Sequence, residues 1–414
     1  MLAERSITNH QASRPTSKLL VLGASGSVGS TTLEYLRVLK RAGQTPVELT
    51  GVSVHSSIDA LETILEEFRP PLAAISSESA YDEHVDRLGR AFPEVRFFRG
   101  DPGLEEIIAA AHELQCDTVL TAVVGACGIR ATLAGIERGM KIALANKETL
   151  VTAGPVIQDR IARMPAGSRP SILPVDSEHN AIFQVLLGQP DEHVRSVILT
   201  ASGGPFRDRP ASDLKHVTRA EVLEHPTWKM GPKITVDSAG MINKGLEVIE
   251  AHFLFGVEYD RLDVLIHKSS LVHGMIATTD GGYLLCASRP NMVFPVAHSL
   301  HYPKAVPTPH AVATPPDAWE ALAFERVAPD KYPGFELCMR AGRSGGTGPA
   351  ILNGANEEAV ALFLDGQIQF TEIPVLVERV LERVDVESGV ELELFLEADA
   401  RARALARESL AGLR

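Results

Sequence analysis

Leu19-Leu-Val-Leu-Gly-Ala-Ser-Gly-Ser-Val-Gly-Ser-Thr-Thr-Leu-Glu-Tyr-Leu36 runs an apolar, strand-like segment into Gly23, Gly26 and Gly29 and then into a helix-like segment. Glycines at such a junction let the backbone turn tightly and approach a pyrophosphate, whose charge then sits at a helix N-terminus. A glycine pattern alone is a weak signal; its position at the head of a βα series strengthens it. Apolar runs predict strands at Leu19–Leu22, Val47–Val54, Leu72–Ile75, Val95–Phe98, Thr118–Val124 and Ile142–Ala145. Helical spacing predicts helices over Thr31–Lys40, Ile58–Phe68, Tyr81–Ala91, Leu104–Leu114 and Gly128–Gly139. Repeated units of this kind imply an α/β fold, a parallel sheet covered on both faces, with ligands outside the carboxyl ends of the strands. The expectation is a Rossmann-like dinucleotide-binding domain over 18–150.

The second strand ends in Gly-Val-Ser-Val-His55-Ser56-Ser57, with no carboxylate before Asp59. An NAD site usually holds the ribose 2′-hydroxyl with Asp or Glu at that point. Its absence removes repulsion toward a 2′-phosphate, to which Ser56, Ser57 and His55 can donate; the plainer alternative is that these hydroxyls cap the next helix. Past residue 150 the alternation fades into mixed strands, expected to form a central α+β catalytic domain over 151–298. Pro303, Pro307, Pro309, Pro315 and Pro316 mark an extended linker over 299–325, since proline at that density sustains neither helix nor central strand. Helices over Ala350–Leu364, Glu372–Val384 and Leu394–Leu413 are expected to form a C-terminal helical bundle over 326–414.

With 414 residues the chain can bury a sizeable core, and 53 acidic against 40 basic residues give a net charge of −13 that argues against a general nucleic-acid binder. Cys116, Cys127, Cys286 and Cys338 are scattered and form no CxxC pair, which argues against a structural zinc site or a disulfide framework. No apolar run approaches the ~18 residues of a membrane helix, and the polar N-terminus lacks a signal-peptide core. A cytoplasmic globular protein is expected.

Three polar clusters carry candidate chemistry. Asp176 and Glu178 follow the apolar run Ile172–Val175; on an extended segment residues i and i+2 point the same way, so both carboxylates are expected to converge on one hard cation such as Mg2+ or Mn2+. A second cluster lies between His225 and Phe255, where a helix is expected to start near Ser238 or Ala239, with Ser238 at its cap. Asn243, Lys244 and Glu247 then fall near one face, with Leu246, Ile249, Phe253 and Leu254 on the buried side. Polar groups at a helix N-terminus suit an oxyanion or phosphate, although Lys244 and Glu247 alone can be an ordinary surface ion pair. The third cluster, Leu199–Arg207, leads a strand into a Ser202-Gly-Gly turn that offers further anion donors. Between them, Leu223–Pro232 is either a packed connection or a lid carrying Trp228 and Met230.

Together the motifs GASGSVG (Gly23–Gly29), ALANKETLV (Ala143–Val151), LPVDSEHNAIFQ (Leu173–Gln184), LTASGGPFR (Leu199–Arg207) and the run His225–Gly256 resemble the 1-deoxy-D-xylulose 5-phosphate reductoisomerase family. The resemblance implies NADPH-dependent isomerisation and reduction of 1-deoxy-D-xylulose 5-phosphate to 2-C-methyl-D-erythritol 4-phosphate, an isoprenoid precursor of the non-mevalonate route. It implies cofactor contacts at Ser25, Gly26, Ser27, Val28, Asn146, Glu148 and Gly231, beside the Ser56 and Ser57 read above. It implies divalent-metal ligands (Mg2+ or Mn2+, with Co2+ also admitted) at Asp176, Glu178 and Glu247. Lys147 and Ser177 match its contacts to substrate oxygens, and Ser202, Ser238, Asn243 and Lys244 its phosphate pocket. His225 and Trp228 match a loop that closes over substrate. On the same ground Lys147, Asp176, Glu178, Glu247 and His225 are the catalytic candidates, and a homodimer is implied.

The chain departs from the family at Ile266-His-Lys-Ser-Ser-Leu-Val-His273-Gly-Met, where Lys268 and Ser269 stand for Pro-Gln and Gly274 for Ser, and at Pro290-Asn-Met-Val293, where Asn291 and Val293 replace Asp and Arg. His267 and His273 are structural or catalytic candidates there. Competing readings are another NADP-dependent dehydrogenase of a phosphorylated aldehyde or ketose, an inactive NADP(H)-binding paralogue, and a serine hydrolase built on Gly342-Arg-Ser344-Gly-Gly346.

Overall fold

The computed structural model describes residues 17–44, 47–228, 230–304, 306, 315–319 and 321–410. The polar segment 1–16, the expected linker prolines Pro307 and Pro309, and the last expected helix beyond Leu410 lie outside the described residues.

Seven strands form the first sheet: β1 (Ser17–Leu22), β2 (Val47–Val54), β3 (Leu72–Ile75), β4 (Arg96–Arg99), β5 (Thr118–Thr121), β6 (Lys141–Leu144) and β7 (Ile172–Pro174). They pair in parallel in the order β4-β3-β2-β1-β5-β6-β7. The helices α1 (Ser27–Arg41), α2 (Ile58–Phe68), α3 (Glu78–Ala91), α4 (Gly100–Glu113), α5 (Ala126–Glu137) and α6 (Lys147–Arg163) connect them. The order reverses between β1 and β5, which opens a crevice at their carboxyl ends, the usual ligand position of a doubly wound sheet.

The expected βα series is therefore present, with shifted ends. Helix α1 begins at Ser27, one turn earlier than Thr31, so Gly29 sits inside its first turn. A side chain there would meet the Gly23 carbonyl oxygen at 2.3 Å, and one on Gly23 (φ +84) would meet the Ala122 carbonyl at 2.5 Å. The glycines thus press α1 onto β1 and β5. Strand β5 stops at Thr121 because the chain leaves the sheet through an exposed Val124 into Gly125 (φ +85). Helix α6 runs through Leu150 and β7 joins the same sheet, so the sheet extends past the expected end of the first unit.

After β7 come α7 (Ser177–Leu186), β8 (Val194–Ala201), the short α8 (Arg219–Val222), α9 (Pro232–Ala239) and α10 (Ile242–Phe255). Strands β9 (Leu262–Ile266), β10 (Val272–Thr278) and β11 (Tyr283–Ala287), helix α11 (Val293–His301) and β12 (Glu325–Arg326) follow. The second sheet has the order β11-β10-β8-β9-β12 and is mixed, with β8 and β9 parallel and the other pairs antiparallel. The expected linker is narrower than 299–325: α11 reaches His301 and Glu325 already pairs with Ile266. The C-terminal helices α12 (Pro333–Ser344), α13 (Gly348–Leu364), α14 (Glu372–Arg383) and α15 (Leu392–Ser409) pack around α13. Helix α13 stops at Leu364, as expected, where Asp365 and then Gly366 (φ +74) follow. The bundle does not stand apart, because one hydrophobic core runs from Leu20 and Leu22 through Leu246 and Ile249 to Phe395 and Ala406. Ser344 is the last residue of α12 and donates to the Ala341 carbonyl at 2.7 Å. A helix, not a strand, precedes it, which removes the serine-hydrolase reading.

Replacing Gly29 with Ala is expected to lower stability by about 1–3 kcal/mol, since backbone rather than a flexible side chain occupies the space; urea denaturation of the two proteins measures it.

Candidate active site

The N-terminal ends of α6, α7 and α10 meet beyond β6 and β7. Asn146 caps α6, its amide oxygen accepting from Thr149 N at 3.1 Å while its amide nitrogen donates to the Val123 carbonyl. That fixes Lys147, the next residue, at the site. Asp176 caps α7, accepting from Glu178 N at 3.2 Å, and Ser177 donates to Glu178 Oε2 at 2.8 Å. Asp176 and Glu178 do converge, but through a helix cap and its first turn, not through strand alternation as expected. Helix dipoles favour carboxylates at that end.

One oxygen from each of Asp176, Glu178 and Glu247 lies within 4.8 Å of the others. Lys147 Nζ donates to Asn243 Oδ1 at 2.8 Å and to Asp176 Oδ2 and Glu247 Oε1 at 3.2 Å each. Lys244 is 3.6 Å from Glu178 and donates to Glu247 Oε2, while Asn243 donates to Glu247 Oε1 at 2.6 Å. Three hard oxygen donors converging on one point fit Mg2+ or Mn2+ better than a soft metal. The electrostatics agree. Burial pushes Glu178 up to about 8 against the pull of Lys244, and the neighbouring Glu247 and Asp176 add to the rise. Burial also opposes ionisation of Asp176, yet Lys147, His179 and Lys244 hold it well below the carboxylate range. Lys147 is held well above its ordinary value against burial by Glu247 and Asp176.

Behind the carboxylates stand His179, which the sequence already places beside Asp176 and Glu178, and Glu250, which it does not. His179 is fully buried, bonds the Glu247 carbonyl through Nε2 at 2.8 Å, and places Nδ1 3.4 Å from Asp176 and 3.3 Å from Glu250. Glu250 is itself 1% exposed. Its signal was the i+3 spacing from Glu247 on one helix face; the amphipathic reading of α10 concealed it, because the helix is buried nearly all round.

The anion-type donors gather around the turn that follows β8. His225 Nδ1 accepts from Trp228 N at 2.9 Å and Thr227 N at 3.2 Å, and Nε2 lies 3.1 Å from Ser202 Oγ. Burial, and then the charge of Arg207, push His225 down to about 4. The ring is thus neutral near pH 7, its proton on Nε2 donating to Ser202 and freeing the Ser202 hydroxyl hydrogen. Ser238 is not a helix cap. It ends α9 and donates to the Ile234 carbonyl at 2.8 Å, while α10 starts afresh at Ile242 after Met241 takes a left-handed turn (φ 59). Ser238 nonetheless belongs here, since a side chain on Gly204 would meet its carbonyl oxygen at 2.7 Å.

Ser25, Gly26 and Ser27 are exposed and Val28 half-buried at the mouth of the first crevice. Ser56 and Ser57 are exposed too; Ser57 precedes α2 but makes no side-chain cap bond, so the capping alternative is not realised there. Glu148 pairs with Lys233 at 3.2 Å, two residues beyond Gly231, the cap position of α9. His267 and His273 have structural partners: the first bonds the Ala323 carbonyl and Ser269 at 2.9 Å each, the second the Ser288 carbonyl at 3.1 Å. Lys268 bridges Asp208 and Glu325 at the surface. Gly274 leaves its space to Ile182, which a side chain would meet at 2.7 Å, and Asn291 accepts from Val293 N at 2.9 Å at the start of α11.

A doubly wound dinucleotide-type sheet whose strand ends open onto a buried lysine–carboxylate cluster defines a nucleotide-dependent enzyme with a divalent-cation site. Family profiles narrow this: 1-deoxy-D-xylulose 5-phosphate reductoisomerase matches residues 19–154, its C-terminal domain residues 172–255, and a further C-terminal domain of DXP reductoisomerase residues 287–405. The chain is 45% identical over 392 residues to the 1-deoxy-D-xylulose 5-phosphate reductoisomerase of Leptospira interrogans serovar Lai, covering 95% of this chain and 97% of that protein. It is 45% identical over 392 residues to that of Geobacillus kaustophilus, covering 94% and 98%. It superposes with a TM-score of 0.84 at 34% identity on the Zymomonas mobilis enzyme in complex with NADPH, covering 95% of this chain and 99% of that one. Against a DOX-P reductoisomerase holding NADPH, fosmidomycin and magnesium the TM-score is 0.86 at 33% identity, covering 96% and 99%. The chain belongs to the 1-deoxy-D-xylulose 5-phosphate reductoisomerase family.

Lys147→Met is expected to destabilise the metal-free protein by about 3–5 kcal/mol, because it strands buried carboxylates without their cation; denaturant unfolding in chelator measures the loss.

Proposed function

We infer that the protein catalyses the NADPH- and divalent-metal-dependent conversion of 1-deoxy-D-xylulose 5-phosphate to 2-C-methyl-D-erythritol 4-phosphate. The observation that carries this reading is the meeting of α6, α7 and α10, which gathers Lys147, Asn243 and Lys244 around the carboxylates Asp176, Glu178 and Glu247.

In this reading Ser25, Gly26, Ser27 and Val28 line the cofactor's pyrophosphate, Ser56 and Ser57 its 2′-phosphate, and Asn146, Glu148 and Gly231 its nicotinamide half. NADPH supplies the hydride when bound. Asp176, Glu178 and Glu247 would hold Mg2+, with Mn2+ and Co2+ also suited to the donors, and the metal supplies Lewis acidity toward vicinal oxygens. Ser202, Ser238, Asn243 and Lys244 bind the substrate phosphate, and the neutral His225 holds Ser202 so that its hydroxyl donates outward. Lys147 donates from Nζ to oxygen as negative charge develops during the rearrangement, and Ser177 orients a substrate hydroxyl. Trp228, tied through its backbone to His225, covers the bound substrate and excludes water. Phosphate binding remote from the reacting carbons orients the skeleton. The three units proposed are nucleotide binding over 18–150, catalysis over 151–298 and the bundle over 326–414.

No helix among the described residues is long and apolar enough to cross a membrane. A cytoplasmic location is the accompanying proposal, as is a homodimer. The edge strand β11 supports the latter: Tyr283, Leu284 and Leu285 are 57%, 41% and 40% exposed along an unpaired sheet edge. Leu284→Lys with Leu285→Lys is expected to shift the protein to monomer in sedimentation; an unchanged dimer would place the interface elsewhere.

The central test follows NADPH oxidation with 1-deoxy-D-xylulose 5-phosphate, with and without Mg2+ or Mn2+. Metal-dependent turnover is expected, and its absence overturns the reading. Glu247→Gln is expected to cut turnover at least ~100-fold, about 2.7 kcal/mol of barrier, while the NADPH dissociation constant stays within about twofold. Loss of NADPH binding instead would show the triad to be misassigned.

A further inference from the structure

The Ser202-Gly203-Gly204 turn is held from outside by side chains that have no part in the proposed mechanism. Gly203 and Gly204 both take positive φ, +79 and +67. Arg207 donates from Nη1 to the Ser202 carbonyl at 2.9 Å and to the Lys268 carbonyl at 3.0 Å, so it ties the turn after β8 to the segment after β9. Its aliphatic stem lies against Gly203, where a side chain would meet Arg207 Cβ at 2.9 Å. The Arg207 carbonyl is in turn held by Lys331 Nζ at 2.7 Å, and the Gly203 carbonyl receives the Tyr332 hydroxyl at 3.3 Å. Both of those residues lie just ahead of α12.

A trans peptide points its C=O and N–H in opposite directions. Holding the Ser202 carbonyl outward therefore turns the Gly203 N–H inward, and holding the Gly203 carbonyl does the same for the Gly204 N–H. The Gly204 N–H does reach Ser202 Oγ, at 3.2 Å. Gly203 is buried, yet its N–H has no acceptor among the described residues. A buried donor of this kind calls for a partner, and successive N–H groups in such a turn form an anion-binding concavity.

We propose that Arg207, braced by Lys331, is a positioning residue that aims the Gly203 N–H at the substrate phosphate. It acts through the backbone, since its Nη1 is spent on two carbonyls and its Nε lies 3.5 Å from Asp208. The proposal rests on the phosphate reading of this turn given above.

The test compares Arg207→Met, Arg207→Lys and Ser202→Ala with the parent protein. The measurements are kcat and KM for 1-deoxy-D-xylulose 5-phosphate, competitive inhibition by inorganic phosphate, and inhibition by phosphate-free 1-deoxy-D-xylulose. Arg207→Met is expected to raise KM and weaken phosphate inhibition in parallel by about tenfold, with kcat within about twofold. Arg207→Lys, which keeps a donor, is expected to fall between. Inhibition by phosphate-free 1-deoxy-D-xylulose and the NADPH dissociation constant are expected to hold, which also reports that the variant is folded. If Arg207→Met does not fold, Lys331→Met removes the brace alone and is expected to raise KM about threefold. Unchanged phosphate inhibition in a folded Arg207→Met, or an equal loss toward the phosphate-free sugar, overturns the proposal. If Ser202→Ala leaves phosphate inhibition intact, the phosphate reading of the turn itself fails, whatever Arg207 does.

Discussion

Everything around the site is arranged to keep two buried ammonium groups, Lys147 and Lys244, in contact with three carboxylates. Both lysines stand in the first turn of a helix, Lys147 as the first residue of α6 and Lys244 as the third of α10. A cation is disfavoured there by the helix dipole, and burial disfavours it further. Asp176, Glu178 and Glu247 offset both penalties, and they can do so only if α6, α7 and α10 dock end to end. The Asn146 and Asp176 caps, and the bond from His179 to the Glu247 carbonyl, fix that docking. A local violation of helix preference is thus carried by the tertiary structure, as is common where a site performs chemistry.

The continuous core explains how three compositional units cooperate. Helix α6 leaves the nucleotide sheet and packs against α10, α13 and α15, so the element bearing Lys147 is also the element on which the C-terminal bundle rests. A contact from the bundle reaches α9 directly, where Asn356 donates to Asp237 at 2.9 Å and Asp237 pairs with Lys233 at 3.0 Å. Lys233 closes the circuit on Glu148. The helical C-terminus is accordingly part of the scaffold that places α6 and α9.

Much of the nucleotide sheet was legible in the sequence. Val47–Val54, Leu72–Ile75 and Ile58–Phe68 read true to the residue, because a buried parallel strand or an amphipathic helix repeats one simple period. Errors came where polar side chains replace that period as the local signal. Asp176 and Glu178 read as strand because Ile172–Val175 precedes them, whereas the Asp176 cap makes them helical. Ser238 read as a cap because Ser is a good one, but no sequence rule announced the left-handed Met241 that divides α9 from α10. Glu250 was invisible beside the carboxylates, since it lies on a helix face read as core.

Helix α10 also sets a scale. It rises about 1.5 Å per residue, so Lys244 and Glu247 sit about 4.5 Å apart along its axis. Lys244 Nζ nevertheless crosses that span to donate to Glu247 Oε2. In the proposed function, a cation taken up at Glu247 would release this ammonium group, and an anion drawing Lys244 away would leave Glu247 more negative, so the two binding events would be coupled through one ion pair.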